Sequence, residues 1–89
     1  MNNIVKVKAI KKFILEIKKN HTLNIGYVYL KEDDLFDIWH DSKELQFHDK
    51  EFLKFVGLQL QNLLYSKGIY NISFGYDYVK AKILTKNKI

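Results

Sequence analysis

The chain is 89 residues long, 47% apolar, with a formal net charge of +5; this suits one globular domain with a modest core and excludes a disordered chain. Cysteine is absent, which excludes disulfides and cysteine-type zinc sites. No run approaches the ~20 apolar residues of a membrane span, and MNNIVKVK lacks the apolar centre of a signal peptide. The expectation is a cytoplasmic protein with no membrane role.

All fifteen basic residues are lysine. Without arginine there are no bidentate forks for guanine or phosphate, so the surface attracts polyanions but reads base sequence poorly. Lys, Asn, Ile, Tyr and Phe supply about half the chain. Their codons are AT-rich, so part of the lysine content reflects the genome, and the composition is of the kind common in phages and mobile elements. Charge is segregated: residues 1–31 carry a net +6, residues 32–51 a net −6, and residues 52–89 a net +5. Such a chain partly neutralises itself on folding, which tempers the case for a polyanionic partner.

Asn2 or Asn3 caps a first predicted helix reaching Lys19. Val7, Ile10, Phe13, Ile14 and Ile17 share one apolar arc. Lys8, Lys11, Lys12, Lys18 and Lys19 lie opposite, with Leu15 exposed among them. Leu23 to Leu30 alternates as a strand, Lys31–Asp34 forms a turn, and Leu35 to His40 returns as the second strand of a hairpin. In that strand Phe36, Ile38 and His40 share one face, and Leu35, Asp37 and Trp39 the other. A helical turn capped by Asp34 is the alternative for 35–40.

Residues 41–48 read as a polar connection. Asp49 caps a second helix that runs to Lys67 and stops at Gly68. Its buried arc contains Phe52, Phe55, Val56, Leu60, Leu63 and Leu64. Gly57, unfavourable mid-helix, implies a close backbone approach. Leu58 and Tyr65 lie opposite the buried arc, seven residues apart. Ile69 to Leu84 reads as one strand, or as a hairpin turning at Gly75-Tyr76, with the apolar phase shifting near Asp77. A frayed tail is expected from about residue 85.

The predicted fold is a small two-layer α+β domain spanning 1–89. Its order is α-β-β-α-β, with an optional further strand, and its two helices lie on an antiparallel or mixed sheet. The aromatic run at 72–79 meets the RNP1 pattern of RNA-recognition motifs only at Phe74, Gly75 and Tyr76 and follows the last predicted helix, which excludes that family.

Catalytic motifs are absent. Asp34 with Asp41-Ser42-Lys43 has the residue types of a magnesium site at poor spacing. His21, His40 and His48 are the acid–base candidates, with His40 and His48 converging in a nuclease reading. The expectation is no enzyme, no catalytic residue, no metal and no cofactor. The leading reading is a small non-enzymatic regulator or inhibitor that binds a larger protein, with proteins that handle nucleic acid as one class of such partner. The contact residues are Asp33, Asp34, Asp37, Trp39 and Asp41 on the acidic segment, with Leu58 and Tyr65 as a self- or partner-contact patch that allows a homodimer. The alternative is sequence-tolerant nucleic-acid binding through Lys8, Lys11, Lys12, Lys18, Lys19, Lys80 and Lys82, and third a small nuclease.

Overall fold

A computed structural model describes residues 3–88, with side chains through residue 84. Helix α1 spans Asn3–Asn20 and buries Ala9, Ile10, Phe13, Ile14 and Ile17, following the apolar arc of its sequence. The expected cap at Asn2 lies outside the described residues. Strands β1 (Ile25–Leu30) and β2 (Leu35–His40) form an antiparallel hairpin. The hairpin reading of 35–40 therefore holds over the helical one. Phe36, Ile38 and His40 are buried while Leu35, Asp37 and Trp39 are half-buried, the alternation that a strand imposes.

The connection at 41–48 is not irregular. It contains helix α2 (Lys43–His48), capped by the Ser42 hydroxyl, which accepts from the Leu45 N–H at 3.2 Å. Helix α3 (Lys50–Gln59) follows at once. The Asp49 carboxylate accepts from the Phe52 N–H at 3.0 Å, the cap expected from sequence. The helical path continues through a π turn (Leu60–Leu64) and a tight last turn (Tyr65–Lys67), and ends at Gly68 with φ of +80°. A left-handed residue at that position is why glycine stops the helix. Gly57 is exposed, and a methyl group added there meets no atom within 4 Å; the expected close backbone approach is absent.

Strand β3 (Ile72–Tyr76) joins the far side of β2 in parallel, giving a mixed sheet ordered β1-β2-β3. The chain does not continue as a strand or turn into a hairpin at Gly75. Helix α4 (Tyr78–Lys88) begins instead. The Asp77 carboxylate accepts from the Lys80 N–H at 3.0 Å, and the Asp77 carbonyl accepts from the Ala81 N–H at 2.9 Å. Asp77 is thus an N-cap, and the shift of apolar phase there marks a change from strand to helix. Residues 85–88, expected as a frayed tail, carry the last turn of α4.

The α+β class and the α-β-β-α-β order hold, with α2 and α4 added. One sheet face carries Ile25, Tyr27, Phe36, Ile38 and Phe74 and packs with α1 and α3 into the main core. The other face carries Val28, Leu30 and Trp39 and receives α4, whose Ala81 is fully buried. α4 leans on β1 and β2 and adds a layer on that second face. Among the described residues no helix is long and apolar enough to cross a membrane.

Candidate partner-binding surface

The acidic residues of the central segment divide into anchored and unanchored groups. Asp34 sits at φ +47°, a left-handed conformation that Asp tolerates better than most residues. Its carboxylate accepts from the Tyr29 hydroxyl at 2.7 Å and from the Lys6 ammonium at 3.3 Å. The Tyr29 hydrogen bond, then Lys6, holds the Asp34 carboxyl below its ordinary range. The same bond raises the Tyr29 phenol. The Asn71 side-chain amide donates to the Asp33 and Asp34 carbonyls at 2.8 and 2.6 Å. Asp34 thereby ties the hairpin turn to α1 and, through Asn71, to the start of β3.

Asp41 accepts from the Asn24 N–H and side-chain amide at 2.8 and 2.7 Å, closing the other end of the hairpin. Asp37 is half-buried on the α4 side of β2, in register with Val28 and Ser73. Glu32 and Asp33 project from the turn as exposed acids. Asp34 and Asp41 stand at opposite ends of β2, so they do not form the paired site their residue types suggest. Among the described residues no group of three His, Asp or Glu side chains gathers to hold a metal.

Trp39 is positioned from two sides. A methyl group placed on Gly75 would meet its ring carbon Cζ3 at 3.1 Å, so β3 approaches the indole at its glycine. The Lys80 ammonium lies 4.5 Å from the ring centroid, a cation–π contact. Val28, Leu30, Trp39, Lys80, Ile83 and Leu84 enclose an apolar groove of about 290 Å³ between the sheet and α4. Leu30 also lines a hollow of about 310 Å³ with Tyr29, Lys31, Glu32 and Asp33. The groove and the acidic turn therefore share a wall.

The remaining sequence candidates lie apart. Lys8, Lys11, Lys12, Lys18 and Lys19 are exposed on α1, across the sheet from α4. Lys80 and Lys82 belong to α4, over Trp39 and, at 5.7 Å, over Tyr78. The seven lysines do not form one stripe. Leu58 stands 56% exposed, whereas Tyr65 packs against the core and stacks on Tyr70 at 6.0 Å. The intervening π turn changes the helical phase, so seven-residue spacing does not align them.

His40 is fully buried. Its Nδ1 accepts from the Ser42 N–H at 3.2 Å and its Nε2 lies 2.8 Å from Gln46 Oε1. An acceptor Nδ1 leaves Nε2 as the donor, the neutral tautomer. Burial pushes the His40 pKa below its ordinary value, opposed by Gln46 and Asp41. Both nitrogens are occupied in holding α2, so His40 does not converge with the exposed His48 on a substrate. His21 packs edge-on against Phe52 and Phe55.

The groove's outer wall was hidden in the sequence because Ile83 and Leu84 read as strand. Phe47, 62% exposed and 5.9 Å from Tyr76, was hidden in an apparent loop. Compared with protein-family models, curated proteins and solved structures, the chain matches none.

Proposed function

We propose that this is a small non-enzymatic binding protein, a regulator or inhibitor that occupies the surface of a larger protein, with the hairpin turn and the Trp39 groove as its contact face. The observation that carries this reading is the shared wall at Leu30: an apolar groove opens directly beside the exposed acids Glu32 and Asp33. A partner that fits presents an apolar side chain for the groove within a basic rim, the rim found on proteins that bind nucleic acid. Opposite charge would speed encounter, while the seated anchor would set the dissociation rate. Asp34 and Asp41 support the hairpin's shape in this scheme, and Glu32 and Asp33 meet the partner.

The test is kinetic, on a partner recovered with the wild-type protein and then purified. Glu32→Lys with Asp33→Lys should slow association several-fold, and Ile83→Asp should speed dissociation, each with the melting temperature close to wild type. Unchanged kinetics in both variants would refute this contact face. Retention on duplex DNA that falls steeply with salt, and is lost when Lys8, Lys11 and Lys12 are neutralised, would replace the reading with direct nucleic-acid binding.

A further inference from the structure

We propose that β3 pairs with β3 of a second copy, antiparallel and centred on Phe74, joining two three-stranded sheets into one. The surface is distinct from the Trp39 groove, and the inference does not rest on the function proposed above.

Backbone hydrogen bonding locates the open edge. The Asn71 carbonyl accepts from the Phe36 N–H, and the Asp77 N–H donates to the His40 carbonyl. With the register of Phe36 to Ile72, Ile38 to Phe74 and His40 to Tyr76, the odd-numbered residues of this segment face β2. The N–H and C=O groups of Phe74 and Tyr76 and the C=O of Ile72 point the other way. They have no partner among the described residues; the Ile72 N–H donates to the Tyr70 carbonyl at 3.0 Å. An unpaired row of this kind is a template for another strand, and proteins usually blunt it with lysine, proline or a bulge. Residues 72–76, Ile-Ser-Phe-Gly-Tyr, contain no charge and no proline, and their ladder to β2 is unbroken.

The sequence around this edge selects a second copy as occupant. A two-fold interface requires that when residue i meets j, j also meets i. Reading outward from Phe74 along β3, Ser73 corresponds to Gly75 and Ile72 to Tyr76. Small meets small, and aliphatic meets aromatic. The strand is a palindrome of large and small side chains. In the pairing, Phe74 exchanges both backbone bonds with its counterpart in the second copy, and each Tyr76 N–H meets an Ile72 carbonyl. The Phe74 ring pair that results stabilises antiparallel strands.

Two further features agree. Tyr70, 70% exposed, flanks β3 beside Tyr65 and stands at the end of the proposed pairing. α4 leans on β1 and β2, away from the outer edge of β3.

The test combines light scattering with amide exchange across protein concentrations. The wild type should be a dimer, with Phe74 and Tyr76 amides gaining protection as concentration rises. Ser73→Lys sets two like charges diagonally across the new pair and should weaken dimerisation about tenfold or more, with an unchanged circular-dichroism spectrum. Should that variant misfold, Tyr70→Glu, outside the strand, should weaken the dimer in the same sense. A wild type that stays monomeric at millimolar concentration overturns the proposal. So does a dimer in which Tyr27 and Tyr29 of β1 gain the protection, or one that both substitutions leave intact.

Discussion

The indole of Trp39 fills the space above Gly75, so that a single added methyl there would sit 3.1 Å from the ring. Gly75→Val should push the indole out of its seat and cost about 1–3 kcal/mol, the range for overpacking. Trp39 is the only tryptophan, so its fluorescence reports the displacement directly. The emission should move to longer wavelength, and thermal unfolding should begin earlier. An unchanged spectrum would mean that the sheet, not the ring, accommodates the side chain.

Gly57 offers the opposite outcome. It lies mid-helix in α3, exposed, with no atom near the position of a Cβ. Gly57→Ala should stabilise the protein by roughly 0.5–1 kcal/mol, by removing conformational freedom from the unfolded chain. For a domain of this size that is a rise in melting temperature of about 2–8 °C. A lower melting temperature would show that the helix needs glycine for a contact with another molecule.

The Asp34 carboxylate should contribute to the acid limb of stability. Its folded pKa is depressed, first by Tyr29 and then by Lys6. Its contribution is therefore present above the unfolded value near 3.8 and lost as pH falls through the lower folded value. Asp34→Asn and Tyr29→Phe should each flatten this limb. Together they should do little more than either alone, because they break one shared hydrogen bond. Denaturation series at several acidic pH values measure both effects; simple additivity would show the bond to be idle.

His40 sets a second pH window. Its folded pKa lies below the ordinary 6.5, so the unfolded chain takes the proton first. Stability should be full above that value and decline as pH falls from it to the folded pKa, with a limiting slope of about 1.4 kcal/mol per pH unit. Below the folded pKa the effect levels off. Nitrogen NMR should find Nε2 protonated and Nδ1 bare at neutral pH. A His40 titrating above 6.5 would contradict the buried, doubly bonded geometry.

The parts of the fold legible in sequence are those with one strong local cause. α1 follows its apolar arc. The hairpin follows its alternation and turn. The Asp49 cap and the Gly68 stop bound the long helical passage on either side. The parts missed have competing signals. Tyr70, Ile72, Phe74, Tyr76 and Tyr78 alternate without interruption, so their periodicity conceals the point where Asp77 turns the chain into α4. α2 has no fully buried residue and hence no apolar stripe; it is held by the Ser42 cap and the His40–Gln46 bond, neither of which periodicity reveals. Charge counting does not separate Asp34 from its exposed neighbours, because its bond to Lys6 spans 28 residues and its bond to Tyr29 needs the left-handed turn at Asp34 itself. Trp39 and the acidic turn were visible as candidates, but their shared wall required α4.

The mixed sheet also divides β2 between two histories. Leu30 and Leu35 meet across a turn of four residues, whereas Phe36 and Ile72 meet thirty-six residues apart along the chain. Treated as flexible loops, the longer closure costs about 2 kcal/mol more in chain entropy. The hairpin can therefore outlive the departure of β3 in a partial opening. Alternate amides of the one strand record this difference: those of Phe36, Ile38 and His40 face β3, and those of Asp37, Trp39 and Asp41 face β1. Under gentle denaturant the even-numbered set should exchange with solvent faster than the odd-numbered set, so that a single strand reports, residue by residue, which of its neighbours lets go first.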